Sequence, residues 1–326
     1  MDQSTYDLTF WFVFSSVLHF AAFIGVFFHA LRRRRNASAT ILWIFVAWSF
    51  PIIGPLLSLS FGVDRVSVKG MERQIINQLL MQQRDERLTE NRALKAWHLE
   101  YLTHSTELED RMSRKLNATL DTIIPEHPLL NSNAIIPLLS GDAAYPLMLQ
   151  AIRSAKHHIH LQTFILYRDE TGAKFLDALK EKANEGVKVR LLFDRFGSTH
   201  AYLGGMIRKY KNIPNFEICG WTQANPFKAQ FQINLRNHRK NLVIDGRVGF
   251  FGGVNIASEN ITSKGRRAIR DYHFEVEGPL VHELQLSFLS DWYFMTRETI
   301  DSLLSADLFP EVISVGTARA RLIDSG

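Results

Sequence analysis

The apolar residues of this chain are concentrated in its first 63 positions. From Leu8 to Leu31 there is no Asp, Glu, Lys or Arg, and a helix of that length can cross a bilayer core of about 30 Å. A secretory signal peptide would begin with basic residues and have a shorter apolar stretch. Here Asp2 and Asp7 come first and the basic cluster Arg32–Arg35 follows. We therefore expect a retained membrane helix.

A second uncharged stretch runs from Asn36 to Val63, with Pro51, Gly54 and Pro55 in its middle. Because proline removes a backbone donor and breaks a regular helix, we expect either a kinked span or a re-entrant hairpin, and favour the kinked span. Residues 1–63 are thus predicted to be a membrane anchor with two apolar segments. The basic loop between them favours a cytoplasmic position, but basic residues beyond the second segment oppose it, so the sidedness stays open.

Residues 64–124 form a predicted connector. From Met71 to about Leu120 the chain is rich in charge and lacks Gly and Pro, which indicates helix. Such a helix could lie on a membrane surface or against the next domain. A solvated connector with no function of its own is the simpler interpretation.

The hydrophobic period changes near Pro125, where the predicted soluble lobe begins. The lobe is predicted to comprise residues 125–326. The segment KFLDALKEKANEG predicts a helix ended by Gly186, followed by an alternating strand from Val187 to Asp194. Further on, a helix is expected from Tyr202 to Tyr210. Strands that alternate with helices in this way indicate an α/β domain with helices flanking a sheet.

One segment, NHRKNLVIDGRVGFFGGVNI, carries the candidate chemistry. His238, Lys240 and Asp245 fit the pattern H-x-K-x4-D, and a G-G-x-N tail ends at Asn255. Residues two apart in a strand project on the same face, so an imidazole and an ammonium would converge on one point, as an anionic phosphodiester requires. A chance pairing on an exposed strand is the alternative, and the tail at its expected offset argues against it.

Composition adds two restrictions. A formal net charge of +5 and a pI near 9.3 suit an anionic partner, either membrane lipid or nucleic acid. The single cysteine, Cys219, excludes an internal disulfide framework and any multi-cysteine metal site.

The chain resembles the phospholipase D superfamily, and within it the bacterial cardiolipin synthases. The likeness rests on the H-x-K-x4-D segment and on four further stretches: AIRSAKHHIHLQTFIL, GVKVRLLFDRFGS, RDYHFEVEGP and QLSFLSDW. It implies an α/β fold, with a phospholipase D-like lobe whose mixed sheet is flanked by helices and preceded by two N-terminal membrane helices.

That resemblance also implies a mechanism. His238 would attack a lipid phosphodiester and form a phosphohistidine, Asp245 would hold its imidazole, and Lys240 and Asn255 would stabilise the phosphate oxygens. The reaction would convert two phosphatidylglycerol molecules into cardiolipin and glycerol, with no metal or other cofactor. Asp271 lies in one of the similar stretches, where a strand-edge ion pair is as good an interpretation as a site role.

Members of the superfamily use two such motifs, and this sequence holds one. We expect either that two copies pair as a homodimer to complete the site, or that the chain is a truncated form. A membrane-tethered nuclease and an inactive lipid-binding fragment are the alternatives. The expected partners are phosphatidylglycerol and the membrane rather than nucleic acid, and the expected location is the bacterial inner membrane, as a multi-pass protein.

Overall fold

The computed structural model divides into two compact units, and their described residues lie within 1–71 for the first and within 72–222 and 236–326 for the second. The structure describes residues 3–32, 37–61, 75–76, 78–84, 86, 100–221, 236–264 and 268–323.

The first unit begins with a long apolar helix, α1, over Gln3–Arg32. Its Thr9–Phe28 stretch of 20 residues is long and apolar enough to cross a membrane, and it alone meets that test among the described residues. Most of the side chains described along that stretch are exposed, as expected for a helix whose solvent is lipid. The predicted membrane helix therefore has its counterpart in α1.

The second apolar segment forms two short helices, α2 over Ala37–Ser49 and α3 over Ile53–Phe61. At 1.5 Å per residue they are about 20 Å and about 14 Å long, so each is too short to span a bilayer. The two helices turn back on each other. The evidence is the close approach of Gly54 to Val46, since a Cβ on Gly54 would lie 2.2 Å from the carbonyl oxygen of Val46. The favoured kinked span is therefore wrong: Pro51 and the positive φ of Ile52 (62°) produce a helical hairpin.

The connector is not one continuous helix. Residues 75–76, 78–84 and 86 are helical, and a second helix, α4, covers Arg111–Ile123 with Asp110 as its N-cap, whose carboxylate accepts from Ser113 N at 2.8 Å. Before α4, Leu102 pairs with Leu130 in a β-bridge and so belongs to the lobe. Other parts of the predicted helix, residues 71–74 and 87–99, lie outside the described residues.

The lobe is built on an eight-stranded mixed sheet in the order β4-β3-β2-β5-β6-β7-β1-β8. The strands are β1 Leu130–Leu139, β2 His158–Thr163, β3 Lys188–Asp194, β4 Phe216–Trp221, β5 Asn241–Ile244, β6 Val248–Gly252, β7 Tyr272–Glu277 and β8 Ala318–Ala320. The neighbours β2, β3 and β4 are parallel, and the other pairs are antiparallel.

Helices cover both faces of the sheet. Helices α5 (Ser140–Ser154) and α6 (Glu170–Asn184) bury apolar side chains with those of β2 and β3 in one core cluster. On the opposite side lies α8 (Leu280–Thr296), after the short α7 (Thr199–Leu203) and before the short α9 (Ile300–Leu303). The α/β prediction, with helices flanking a mixed sheet, is confirmed.

Glycines explain where two predicted helices end. Gly186 has a φ of 96° directly after α6, as the expected C-cap position requires. The helix predicted from Tyr202 to Tyr210 is interrupted, because α7 ends before Gly204 and Gly205, and Gly205 has a φ of 75°. A 3₁₀ turn over Ile207–Tyr210 follows.

The layer between the sheet and α8 is polar as well as apolar. Alternate residues of β2 point to α8, where His160 Nδ1 lies 3.1 Å from Gln285 Oε1 and Gln162 Nε2 donates to Asp291 at 2.7 Å. Arg190 on β3 donates to His160 Nε2 at 3.0 Å. Buried polar groups are costly unless paired, so these bonds fix the register of α8 on the sheet.

Candidate active site

His238 and Lys240 come together at the end of the sheet where β2 and β3 finish. Both precede β5, whose first residue, Asn241, pairs with Gln162 near the end of β2. Lys240 Nζ lies 3.2 Å from His238 Nδ1 and donates to the His238 carbonyl oxygen at 2.6 Å. The expected imidazole and ammonium pair is therefore present, although the two residues lie just outside the strand.

An aromatic ring and a cavity complete this corner. The Phe164 ring centroid is 4.6 Å from the His238 imidazole and 5.5 Å from Lys240 Nζ. Both site residues line a cavity of about 250 Å³, whose remaining wall includes Phe251, Leu322 and Ile323. Arg239 lines it as well, so the cavity combines three basic side chains with an apolar wall, as a ligand with a charged centre and a hydrocarbon part would need.

The electrostatics favour a neutral imidazole beside a titratable ammonium. Burial and the nearby Lys240 charge lower the pKa of His238, against the opposing effects of Asp194 and Asp271. Burial also lowers the pKa of Lys240 to about 8, and the Asp271 carboxylate opposes that shift. At pH 7 the site therefore holds an uncharged histidine and a protonated lysine.

Asp271, which the sequence left undecided, places a carboxylate near His238 and Lys240. It ends the loop before β7, and its Oδ1 accepts from Tyr272 N at 2.8 Å. A Cβ on Gly253 would lie 2.1 Å from both of its carboxylate oxygens. The second glycine of the G-G-x-N tail therefore makes room for a negative charge close to His238 and Lys240.

Asp245 has a different role from the one expected, which is a correction. Its carboxylate accepts three backbone bonds of 2.8 Å, from the nitrogens of Lys156, His157 and His158 at the start of β2. The four residues of β5, about 13 Å of strand, separate it from the His238 end. It also has a φ of 52°, followed by 64° at Gly246, the positive pair that a tight Asp-Gly turn requires. Asp245 therefore ties two strands together and does not hold the imidazole.

Asn255 lies at the same edge of the sheet. Its Oδ1 accepts from Ile165 N at 3.1 Å, and its own backbone oxygen accepts from the Tyr145 hydroxyl at 2.6 Å. The carboxamide oxygen is thus used by the loop after β2, and the amide nitrogen is the end that suits an anionic ligand.

Two buried aspartates that sequence reasoning did not single out hold the residues on either side of His238. Asp291 Oδ2 accepts from Asn237 Nδ2 at 2.8 Å and from Arg239 at 2.5 Å. Asp194 Oδ2 accepts from Asn237 N at 3.2 Å. Both lie in stretches that the resemblance quotes, LLFDRFGS and FLSDW, so the signal was present but gave no role.

The α/β sheet and the His-Lys pair define a lobe of the phospholipase D type. Residues 148–292 match the family model described as "Cardiolipin synthase, PLD-like domain", and residues 17–62 match "Phospholipase_D-nuclease N-terminal". The chain therefore belongs to the phospholipase D superfamily and is similar to its bacterial cardiolipin synthases.

Two relatives show the extent of the likeness. The chain is 33% identical to a cardiolipin synthase of Alkalihalophilus pseudofirmus, over 93% of this chain and 58% of that protein. It is 31% identical to cardiolipin synthase A of Pseudomonas fluorescens SBW25, over 91% and 60%. The chain therefore spans about three fifths of the length of these relatives.

Solved structures with some likeness include the phospholipase D family member Nuc from Salmonella typhimurium. It shares 17% identity at a TM-score of 0.38, covering 50% of this chain and 96% of Nuc. Phosphatidylserine synthase of Haemophilus influenzae shares 14% identity at a TM-score of 0.42, covering 59% and 46%.

Proposed function

We propose that this chain is the membrane anchor and one catalytic lobe of a phosphatidyltransferase that makes cardiolipin from two phosphatidylglycerol molecules. The observation that carries the proposal is the His238–Lys240 pair, 3.2 Å apart, in the wall of a cavity that is part basic and part apolar. The membrane helix and the names of the relatives support a lipid substrate rather than a nucleic acid.

In the first step the His238 imidazole attacks the lipid phosphorus. A nitrogen–phosphorus bond forms while the bond to the glycerol headgroup breaks, and the departing glycerol oxygen takes up one proton. In the second step the headgroup hydroxyl of another phosphatidylglycerol attacks the same phosphorus and releases one proton. The nitrogen–phosphorus bond breaks, cardiolipin is formed, and no net proton is consumed.

Three residues assist this chemistry in the proposal. Protonated Lys240 and the Asn255 amide nitrogen stabilise the negative charge on the phosphate oxygens. Asp271 stabilises the positive charge that His238 gains on attack. Asp245 contributes by joining β5 to the start of β2, so its effect on the reaction is indirect. No metal or cofactor has a part in this scheme.

A second lobe with its own histidine completes the site by giving and taking the proton. We propose that a second copy of the chain supplies it in a homodimer, and that a chain as long as its relatives supplies it internally. Mixing wild-type chain with the His238→Ala variant in proteoliposomes tests whether two copies of the chain share one site. A shared site makes activity fall faster than the wild-type fraction, and independent sites make it fall in proportion.

The anchor is proposed to lie in the bacterial inner membrane. α1 crosses it, and the hairpin of α2 and α3 enters and leaves on one side, in place of the second span expected for a multi-pass protein. Cysteines introduced at the start of α2 and at the end of α3 should then react with a membrane-impermeant maleimide from the same side. Labelling of the two ends from opposite sides would restore the two-span arrangement.

The function is tested with fluorescent phosphatidylglycerol and the whole chain in proteoliposomes. The expected result is an acid-labile lipid adduct on the peptide that contains His238, together with cardiolipin when a second lobe is present. His238→Ala should abolish the adduct, whereas His157→Ala, an exposed histidine whose side chain lies outside the site, should retain it. Cleavage of an oligonucleotide without any lipid adduct would favour the nuclease alternative.

A further inference from the structure

Helix α4, Arg111–Ile123, exposes its apolar face and turns its polar face to the lobe, the reverse of an ordinary surface helix of a soluble domain. Three large apolar side chains on one face are exposed: Met112 at 76%, Leu116 at 57% and Ile123 at 67%. At 100° per residue they fall within a narrow stripe of the helix surface. An ordinary surface helix directs such a stripe to the core.

The opposite face of α4 is polar and attaches the helix to the lobe. Asn117, only 4% exposed, donates to Ser105 Oγ at 2.9 Å. Arg321, just after β8, donates to Asn117 Oδ1 at 2.9 Å and also bonds the Asp121 carboxylate. Because these bonds fix the polar face inward, the apolar face cannot turn to the lobe without breaking them.

The flank of the apolar stripe is basic. Arg111 and Lys115 lie side by side on the surface of α4, next to Met112 and Leu116, and both are exposed. An apolar face bordered by lysine and arginine is the pattern of helices that lie in the headgroup region of an anionic bilayer. The same chain carries α1, a helix long and apolar enough to cross a membrane.

The attachment of α4 also relates it to the site. The residues after Arg321 are Leu322 and Ile323, and both line the cavity that contains His238 and Lys240. The bonded partner of α4 is thus one residue from the cavity wall. A helix that rests on the bilayer at this point would hold the cavity at the depth where lipid phosphates lie.

We propose that α4 is a membrane-docking helix whose apolar face lies in the bilayer interface, with Arg111 and Lys115 on the anionic headgroups. The occupant of the exposed stripe is therefore lipid rather than protein. Docking itself needs no catalysis. Its consequence for substrate access rests on the proposed function.

The test uses the whole chain in proteoliposomes of phosphatidylcholine with phosphatidylglycerol. In a Cys219→Ser background, a fluorophore sensitive to polarity is attached to Leu116→Cys or to the matched control Ala118→Cys. Ala118 is also exposed, but it lies about 160° from Leu116 around the helix. Spin-labelled lipids that quench by contact then report whether each position meets the acyl region.

The expected result is loss of most fluorescence at position 116, little loss at position 118, and weaker quenching when phosphatidylglycerol is replaced by neutral lipid. A blue-shifted but unquenched probe at 116, reversed by diluting the chain in the membrane, would show that a second copy covers the stripe and would overturn the proposal. Equal quenching at both positions, or water-like emission at 116, would overturn it as well. Catalytic activity enters none of these readouts, so failure of the proposed function would leave the result interpretable.

Discussion

Replacing Asp291 by asparagine should destabilise the lobe far more than the loss of an exposed ion pair would. Asp291 is fully buried on α8. One of its oxygens, Oδ2, accepts from Gln162 at 2.7 Å, Asn237 at 2.8 Å and Arg239 at 2.5 Å. Asparagine keeps the shape but removes the negative charge that faces the mostly buried Arg239 guanidinium.

The size of the effect follows from burial. Removing one partner of a buried ion pair costs about 3–5 kcal/mol. A neutral amide that still accepts some of these bonds should keep Asp291→Asn near the lower end, at about 3 kcal/mol. The matched control is Glu170→Gln, whose pair with Lys174 at 2.6 Å is about 60% exposed on both sides. An exposed pair contributes about 0.2–1 kcal/mol.

Urea unfolding of the whole chain in detergent micelles measures both changes. Trp221 and Trp292 of the lobe are each 1% exposed, and Trp292 is the neighbour of Asp291, so their fluorescence follows the loss of this core. Asp291→Asn should lower the urea midpoint strongly and Glu170→Gln hardly at all. If the two variants unfold at the same midpoint, the buried carboxylate does not anchor the residues beside His238.

Three further predictions concern pH. Adduct formation should decline above about pH 8, the pKa of Lys240, and Lys240→Arg should remove that alkaline decline; a decline that persists in the arginine variant would contradict it. Asp271→Asn should move both limbs of the pH–rate profile to lower pH, because the carboxylate raises the pKa of His238 and of Lys240; an unmoved profile would exclude Asp271 from the site. Acid should destabilise the lobe, because burial lowers the pKa of three histidines to about 4. These are His158, His273 and His282. Unfolded histidine titrates near 6.5, so their contribution is complete above about pH 6.5 and is lost as pH falls to about 4; urea midpoints that stay constant over that range would refute this.

The sequence predicted that His238 and Lys240 lie together, but it did not predict where Asp245 lies. His238 and Lys240 are two residues apart, so their approach depends on local backbone and could be foreseen. Asp245 follows them by only a few residues, but those residues form β5, which carries it to the other end of the strand. Which backbone groups it meets there depends on the pairing of β5 with β2, and no local pattern gives that pairing.

The roles of the two supporting carboxylates could not be predicted from the sequence for a similar reason. Asp194 ends β3 and Asp291 lies on α8, so both approach Asn237 only through the topology of the sheet. The hairpin of α2 and α3 was missed for a different reason, because its sequence signal was local. Pro51 marked the break correctly, but proline alone does not distinguish a kink from a reversal, and the close contact of Gly54 with Val46 decides it.

The way in which this lobe holds His238 bears on what one lobe can do alone. The residues beside the histidine are fixed from behind by Asp194 and Asp291, and Lys240 is fixed by the His238 carbonyl oxygen. All of these bonds lie within the lobe, so the nucleophile proposed above is held in place without any partner. In the proposed reaction a second lobe is then needed for proton transfer to the departing glycerol and from the second lipid, rather than for positioning His238. A lobe without a partner should therefore still form the phosphohistidine slowly and fail to pass the phosphatidyl group on, whereas a nucleophile positioned by the partner would yield no adduct at all.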